Sequence, residues 1–382
     1  MTSELKRSIP GVVASAAVWL SSVVFVSGQA APPAPPPLTE QVFKNVQVLK
    51  GVPVNEFMGT MGIFSAALGM SCEDCHAAGD ANWAVYAQDS PRKQMARVMV
   101  TMMATINKTH FGGRQVITCY SCHRGSARPR ATADLAELYG TPPGNDPNGV
   151  FEQARGAPPA EQVLDKYIQA IGGAQRLTAL TSFVAKGTRV GYGPDSEPSP
   201  AEIFARRGQR TTIVHTSGGD NTTTYDGSAG WIAAPFRPVA VLALSNQEID
   251  GLKLDADLSF PANIRQALTK WRVGPPTVLD DREVHVVQGT TARGATATLY
   301  FDMESGLLVR RIRYADSPVG RIPTQTDYSD YRDVAGVKMP FKWTTTWLDG
   351  RDTFEIRDVQ PNVAIDPAKF AKPAAPVAPI AR

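Results

Sequence analysis

The N-terminal third of the chain contains two stretches whose apolar residues recur at helical spacing. The first runs from about residue 55 to residue 68, with Asn55 as a possible N-cap and Gly69 as a stop signal. Its large apolar residues fall at i, i+4, i+7 and i+11 of one face: Phe57, Met61, Phe64 and Leu68. This pattern predicts an amphipathic helix.

The second stretch begins with Ser90 as N-cap and Pro91 at the first helical position, and it runs to about residue 107. One face of this predicted helix is rich in methionine, with Met103 beside it: Met95, Met99, Met102 and Ile106. Each of the two helices precedes a short cysteine-containing segment, so the region has the character of an internal repeat.

After residue 158 the pattern changes. A helix over 159–171 is followed by stretches in which β-branched and aromatic residues alternate with polar ones. The clearest stretches are Thr211–Thr216, Val284–Val287, Ala297–Phe301, Leu308–Tyr314 and Lys342–Trp347. We expect a further helix over 263–271 and a solvated turn at the acidic cluster Asp250, Asp255 and Asp257. These stretches predict an antiparallel, strongly curved, half-barrel-like sheet.

The first residues indicate export. Lys6 and Arg7 precede an uncharged run over 11–26 and then small residues, which is typical of a signal peptide over 1–30 or, alternatively, of an uncleaved N-terminal anchor. We therefore predict a periplasmic or other extracytoplasmic location. The expected divisions are a Pro/Ala linker, an all-helical domain, a second linker, the β-rich domain and a tail: 31–37, 38–130, 131–158, 159–372 and 373–382. The predicted fold class is α+β multidomain.

Composition excludes some classes of function. The chain has 382 residues and a net charge of only +3, so it has no basic footprint for nucleic acid. No G-x-S-x-G, Walker or H-E-x-x-H motif is present.

The chemistry-bearing feature is a C-x-x-C-H motif that occurs twice. Cys72 and Cys75 precede His76, and Cys119 and Cys122 precede His123. This is the pattern for covalent attachment of a c-type haem. Two thiols reach the two vinyl groups on one edge of the porphyrin, and the next residue turns its imidazole onto the iron. The motifs predict two covalently bound c-type haems.

Other uses of paired cysteines are possible in principle. A structural zinc site can be built from four cysteines, or from cysteine and histidine. A disulfide scaffold is compatible with export. The histidine follows at once in both motifs, and the motifs use all 4 cysteines of the chain, which favours haem over both alternatives.

The sixth iron ligand decides between electron transfer and catalysis. For the first haem we expect Met61, on the helix that leads into the motif. Met99, Met102 and Met103 are the candidates for the second haem. These methionines could instead be core residues, because methionine commonly fills gaps in packing. His110 is a further candidate, and we expect it in a flexible loop.

Several of these segments resemble the photosynthetic reaction centre cytochrome c subunit family. The resemblance spans residues 42–130 and is carried by the following runs: Asn45–Leu49, Glu56-Phe57-x-x-x-Met61, Cys72–His76, Ala96-Arg97-x-Met99-x-x-Met102, Ile106-Asn107 and Cys119–Gly125. It implies covalent haem at each motif, with Met61 and Met99 as sixth ligands and Met58 and Met102 as reserves. Well-known members carry four haems, whereas this chain has cysteines for two, so His110 has no evident iron to bind.

The resemblance implies an N-terminal α-helical dihaem cytochrome c domain and a role in electron transfer. We expect transient redox partner proteins, among them a membrane-bound electron-transfer complex, and no nucleic acid. One alternative is a dihaem enzyme of the peroxidase type, for which the chain offers Glu56 and His110. The second domain faintly resembles the half-barrels of periplasmic lipoprotein carriers, so binding of an apolar ligand is the other alternative.

Overall fold

The structure is a computed structural model that describes residues 35–77, 83–129, 131–133, 135, 151–193, 196–235 and 237–376. The predicted signal peptide or anchor, the start of the Pro/Ala linker and most of the second linker lie outside these residues. The expected domain boundaries stay predictions.

Four helices form the first part of the described chain: α1 Thr39–Val42, α2 Val54–Leu68, α3 Pro91–His110 and α4 Cys119–His123. Helix α2 ends at Gly69, whose φ of 63° is left-handed and suits glycine. Helix α3 starts as predicted, because the Ser90 side chain accepts a hydrogen bond from the Lys93 amide and Pro91 occupies the first turn. It extends to His110, so the prediction that His110 lies in a loop is wrong.

Fourteen described strands make one open antiparallel sheet. Their bounds are β1 Ser182–Val190, β2 Ser199–Arg206, β3 Gln209–Thr216, β4 Gly219–Tyr225, β5 Gly230–Ala233, β6 Val241–Ala243, β7 Thr269–Val273, β8 Thr277–Leu279, β9 Arg282–Thr290, β10 Thr296–Asp302, β11 Leu308–Ser317, β12 Gly320–Val334, β13 Val337–Trp347 and β14 Gly350–Pro361. The predicted antiparallel, curved sheet is confirmed.

The order of the strands is β6-β5-β4-β3-β2-β1-β14-β13-β12-β11-β10-β9-β7, and β8 also pairs with β9. The pairing of β1 with β14 therefore joins a meander of the first strands to a meander of the last ones, with Phe183 opposite Pro361. The path starts at β6 and ends at β7, so the sheet does not close.

Four helices accompany the sheet: α5 Ala160–Ala170, α6 Ala174–Ala179, α7 Asn246–Ser259 and α8 Ile264–Ala267. The main hydrophobic core lies between α5, α6, α8 and inward-facing residues of the strands. Its most deeply buried large side chains include Leu164, Ile171, Leu177, Ile203, Ile264, Leu299 and Phe301. Burial of each such side chain contributes about 1.5–3 kcal/mol.

Two predictions in this region are wrong. The helix expected over 263–271 ends at Ala267, because Thr269–Val273 is strand β7 and pairs with β9. The acidic cluster expected in a solvated turn lies on helix α7, which packs against the sheet. The side chain of Asp250 is only 3% exposed and forms an ion pair with Arg293.

Helix α7 carries further carboxylates that neutralise arginines of strand β11. Asp255 pairs with Arg311 at 2.6 Å, and Arg311 is 2% exposed. Glu248 pairs with Arg313 at 2.9 Å. A buried guanidinium requires a partner because the desolvation of an unpaired charge is costly. Helix α7 therefore forms for a tertiary reason that its polar sequence does not reveal.

The helical segment packs directly on the sheet. Ile63 of α2, Val100 and Met103 of α3, and Val319 and Ile322 of the β11–β12 hairpin share a second hydrophobic cluster. Small residues on α2 permit the approach. A Cβ added to Gly59 would lie 2.7 Å from Ile322 Cδ1, and one added to Gly62 would lie 3.3 Å from Leu348 Cβ.

None of the helices in the described part of the chain has the length and apolar character needed to cross a membrane.

The Asp255–Arg311 pair provides a stability test. We expect Asp255→Ala to lower the free energy of unfolding by about 2 kcal/mol, because it leaves a buried guanidinium without its carboxylate; this is less than for a fully buried pair, because Asp255 is 36% exposed. The measurement is denaturant unfolding followed by circular dichroism.

The matched control is Glu355→Ala, which removes a carboxylate from the ion pair with Lys342, in which both side chains are exposed. It should leave the unfolding midpoint nearly unchanged. Equal effects of the two substitutions would show that the buried pair has no special importance.

Candidate functional site

A cleft of about 300 Å³ opens in the helical segment. Its walls are residues 43–49, helix α2, the first C-x-x-C-H motif, the turn over 83–87 and helix α3. All four residues of the apolar face predicted for α2 line this cleft: Phe57, Met61, Phe64 and Leu68. The neighbouring Met58 lines it as well. Their side chains make the cleft predominantly apolar.

The first motif forms the floor of this cleft. Residues Cys72–Asp74 form a 3₁₀ turn, and Cys72, Cys75 and His76 all line the cleft together with Met61. His76 Nδ1 lies 3.3 Å from the carbonyl oxygen of Tyr86. When Nδ1–H donates to a carbonyl, Nε2 keeps its lone pair and can bind a metal.

Local electrostatics keep these groups neutral. Burial, and after it the positive charge of Lys93, lowers the pKa of His76. Burial, and after it the negative charge of Asp349, raises the pKa of the Cys72 thiol. Burial also raises the pKa of the Cys75 and Cys119 thiols. The imidazole is therefore held in the form that coordinates iron.

The start of helix α3 is attached to the first motif and its flanking turn. Ser90 Oγ donates to the Cys75 carbonyl at 3.1 Å, and Arg92 Nη1 lies 3.1 Å from Asp74 Oδ1. Lys93 Nζ donates to the carbonyls of Tyr86 and Gln88, at 2.5 and 2.6 Å. The same turn that holds His76 is thus held by α3.

The second motif has a corresponding arrangement. It forms helix α4, with Thr118 as N-cap accepting from the Ser121 amide at 3.3 Å. His123 Nδ1 lies 3.0 Å from the Ser126 carbonyl oxygen, so its Nε2 is also left for a metal.

The far end of helix α3 holds the approach to this second motif. Asn107 is 6% exposed; its Nδ2 donates to the Ile117 carbonyl at 2.7 Å. Its Oδ1 accepts from the amides of Val116 and Ile117, at 3.1 and 2.9 Å. One buried side chain therefore satisfies three backbone groups just before Cys119, and α3 connects the two motifs.

The segments that flank the two motifs are also in direct contact. The Gly125 amide, just after the second motif, donates to the carbonyl of Ala67 on α2 at 2.9 Å. A Cβ added to Gly69, just before the first motif, would overlap the Gly125 carbonyl oxygen. The absence of a side chain at Gly69 is what allows this approach.

The structure places the remaining candidate ligands in different surroundings. Met99 is half-buried and Met102 is 47% exposed on α3. Met103 is 5% exposed and packs in the cluster shared with the sheet, which makes it a core residue. His110 is exposed in the last turn of α3, and neither it nor Glu56 lines the cleft.

Large apolar side chains remain exposed on α3 and beside the second motif: Met95, Val98, Met102, Val116 and Tyr120. The first three lie at i, i+3 and i+7 of one helix face. Exposed apolar patches in soluble proteins commonly mark a site that another group covers.

The alternatives to haem gain no support. In the described part of the chain, no three Cys, His, Asp or Glu side chains are grouped so that they could hold a metal ion, as zinc would require. The four cysteines, all within the described residues, form no disulfide with one another. Glu56 accepts hydrogen bonds from Ser245 and Asn246, outside the cleft, so the peroxidase interpretation lacks its acid–base residue.

The comparison with known families agrees with this geometry. Residues 16–137 match the sequence profile of the family described as photosynthetic reaction centre cytochrome C subunit. This segment of the chain belongs to that family. At the level of the family, haem binding and electron transfer are the functions that this membership supports, and covalent c-type haem is the cofactor that it implies.

Two relatives carry the same name. The photosynthetic reaction center cytochrome c subunit of Thermochromatium tepidum is 36% identical over 99 residues, which is 25% of this chain and 23% of the relative. That of Rubrivivax gelatinosus is 29% identical over 263 residues, 63% of each chain. The match therefore spans less than two thirds of the length of either relative.

Among solved structures, a LolA superfamily protein from Nitrosomonas europaea aligns with 14% identity and a TM-score of 0.40, over 56% of this chain and 99% of that one. A DUF1329 family protein from Desulfovibrio piger aligns with 10% identity and a TM-score of 0.40, over 56% and 98%.

The residues present fit a c-type haem. The cleft offers paired thiols, an imidazole whose Nδ1 is already engaged, a thioether, and an apolar lining. This set of donors suits iron in a porphyrin held by histidine and methionine. The fit of the second motif rests on its capped helix and on the His123–Ser126 contact.

Sequence reasoning missed several residues of the site. Lys93 acts through backbone carbonyls, and Asp349 reaches the cleft from the tip of the β13–β14 hairpin. In the sequence, Asn107 is part of a run that carries the family resemblance, but that run does not indicate its backbone partners. No local pattern marks such residues, because their roles depend on segments that folding brings together.

The glycine contact between the motifs gives a test. We expect Gly69→Ala to cost about 3 kcal/mol, because it adds left-handed strain and also a clash with the Gly125 carbonyl. Gly125→Ala is the control: its φ is 82°, but an added Cβ meets nothing closer than 3.9 Å, so only about 1 kcal/mol of strain is expected. Chemical denaturation of the two variants compares them, and a Gly125 effect as large as that of Gly69 would contradict the contact.

Proposed function

We propose that the protein is an extracytoplasmic electron carrier with two covalently bound c-type haems. The observation that carries this proposal is the cleft on which Met61 and His76 both lie, with His76 Nδ1 3.3 Å from a carbonyl oxygen, an arrangement that leaves the Nε2 lone pair to bind a metal. The second motif has a matching histidine contact. Family membership of residues 16–137 supports the same conclusion.

Each motif has a defined set of roles. Cys72 and Cys75 would hold the first haem through thioethers, and His76 and Met61 would bind its iron, with Met58 in reserve. Cys119 and Cys122 would attach the second haem. Its iron would be bound by His123 and Met99, with Met102 in reserve.

Bound haem would supply one-electron exchange between Fe(III) and Fe(II). The chain positions the ligands rigidly through α3, which is attached to both motifs by Ser90 and Asn107. Apolar side chains of α2 exclude water and favour the less charged reduced iron. The contact between Gly69 and Gly125 holds the segments that flank the two motifs together.

The partners follow from the same reasoning. Redox encounters are small and transient, so we expect brief contacts with a soluble donor and with a membrane-bound electron-transfer complex. The name of the relatives points to a photosynthetic reaction centre as that complex. The charged and apolar pattern of the first 30 residues supports an export signal or an N-terminal anchor. Binding of an apolar ligand by the sheet stays a prediction.

A redox titration with optical spectra on the purified protein tests the proposal. We expect two one-electron steps with low-spin spectra, and mass spectrometry should show two covalently added tetrapyrroles. High-spin iron at both sites, or a mature chain without an added tetrapyrrole, would refute it.

For the first site, we expect Met61→Ala to retain covalent haem but to lose the methionine–iron absorption band of one haem, because the thioether is removed from the cleft. Met58→Ala is the control in the same cleft and should retain the band. Loss of the band in Met58→Ala alone would assign the ligand to Met58 instead.

For the second site, the paired substitutions are Met99→Ala and Met102→Ala, three residues apart on α3. Met99→Ala should remove the methionine–iron band of the other haem and lower its midpoint potential, since thioether ligation favours Fe(II). Met102→Ala should leave both unchanged. The reverse result would transfer the assignment to Met102.

A further inference from the structure

We propose that Lys93 is a positioning residue for His76 and makes the first haem site the one with the higher reduction potential. The inference rests on the proposed function and goes beyond it by ordering the two sites. It starts from the one carbonyl, that of Tyr86, to which both Lys93 and His76 are directed.

The two histidines are supported differently. His123 Nδ1 lies 3.0 Å from the Ser126 carbonyl, and among the described residues no lysine or arginine side chain bonds to that oxygen. His76 Nδ1 lies 3.3 Å from the Tyr86 carbonyl, which also accepts from the Lys93 ammonium at 2.5 Å. The carbonyl of the first site is therefore shared with a cation.

Because the Tyr86 carbonyl also accepts from Lys93, it accepts a weaker hydrogen bond from His76 Nδ1. A full hydrogen bond from Nδ1–H raises the basicity of a ligating imidazole and so favours the more charged metal. A carbonyl whose electron density is drawn to an ammonium is a poorer acceptor, which agrees with the longer distance at His76. A less basic imidazole favours Fe(II) at the first site.

The charge of Lys93 acts in the same direction. Its ammonium is fixed by two carbonyls, those of Tyr86 and Gln88, and its side chain lines the cleft. A positive charge held close to the iron disfavours Fe(III). This charge also contributes to the lowered pKa of His76, after burial, so the two groups interact electrostatically.

The other charges on the cleft do not reverse this effect. Arg97 is positive and pairs with Asp89, so it contributes little. Lys44 is positive but exposed, so solvent screens its charge. Asp349 is negative and acts on the Cys72 thiol, whose pKa it helps, after burial, to raise. It is exposed, however, and its carboxylate approaches α2 near Gly62, whereas Lys93 bonds the carbonyl that faces His76. Solvent screens an exposed carboxylate more strongly than a fixed ammonium.

The test is a redox titration of the full-length holoprotein carrying Lys93→Gln. The amide can still donate to a carbonyl, but the charge is gone. We expect the midpoint potential of the higher-potential step to fall by at least about 28 mV. For a one-electron couple this shift raises the Fe(III)/Fe(II) ratio at a fixed potential about threefold. The lower-potential step should not move.

Two further variants separate charge from packing. Lys93→Arg keeps the charge and should keep the potential. Lys108→Gln removes the same charge from an exposed position in the last turn of α3 and should shift neither step. Equal shifts in Lys93→Gln and Lys108→Gln, or a shift in Lys93→Arg as large as in Lys93→Gln, would overturn the role of Lys93.

The ordering of the sites has its own readout. Met61→Ala should move the higher-potential step, because Met61 lies on the same cleft as His76. Movement of the lower-potential step would overturn the ordering. A protein without covalent haem would instead refute the proposed function. A haem-loaded protein whose midpoint potentials do not change in Lys93→Gln would refute only this inference.

Discussion

Helix α2 must satisfy two neighbours at once, and the rest of the structure depends on this constraint. One face carries the large side chains that line the cleft, among them Phe57 and Met61. Another face carries Gly59 and Gly62, and against them pack the side chains of Ile322 in strand β12 and Leu348 in the β13–β14 hairpin. Larger side chains at these glycine positions would push the sheet away from α2. A wider gap between the other face of α2 and the opposite wall would open the cleft.

Helix α3 performs the complementary task of joining the two motifs. Its first turn bonds the Cys75 carbonyl and the turn around Tyr86, and its last turns hold the segment before Cys119 through Asn107. Because a helix is stiff, the two segments bonded to its ends are held in fixed positions relative to each other. The Gly69–Gly125 contact adds a second connection, so the two sites are fixed relative to each other.

The sheet also helps to hold the helices and the cleft in place. The shared cluster around Ile63, Val319 and Ile322 attaches it to the helices, and Asp349 places one carboxylate of the sheet on the cleft. Helix α7 shows how the sheet is stabilised: its carboxylates meet buried arginines such as Arg311. The proposed electron-transfer site thus lies on a helical segment that packs against the sheet.

Local sequence determined much of this protein. The C-x-x-C-H spacing, the apolar face of α2, the Ser90-Pro91 start of α3 and the alternating strands all depend on residues a few positions apart, where helix and strand periodicity decides the geometry. The tertiary structure alone decided the partners of Lys93, Asn107 and Asp255 and the burial of Met103. These residues act through groups on other elements, and no local periodicity can specify which element will pack there.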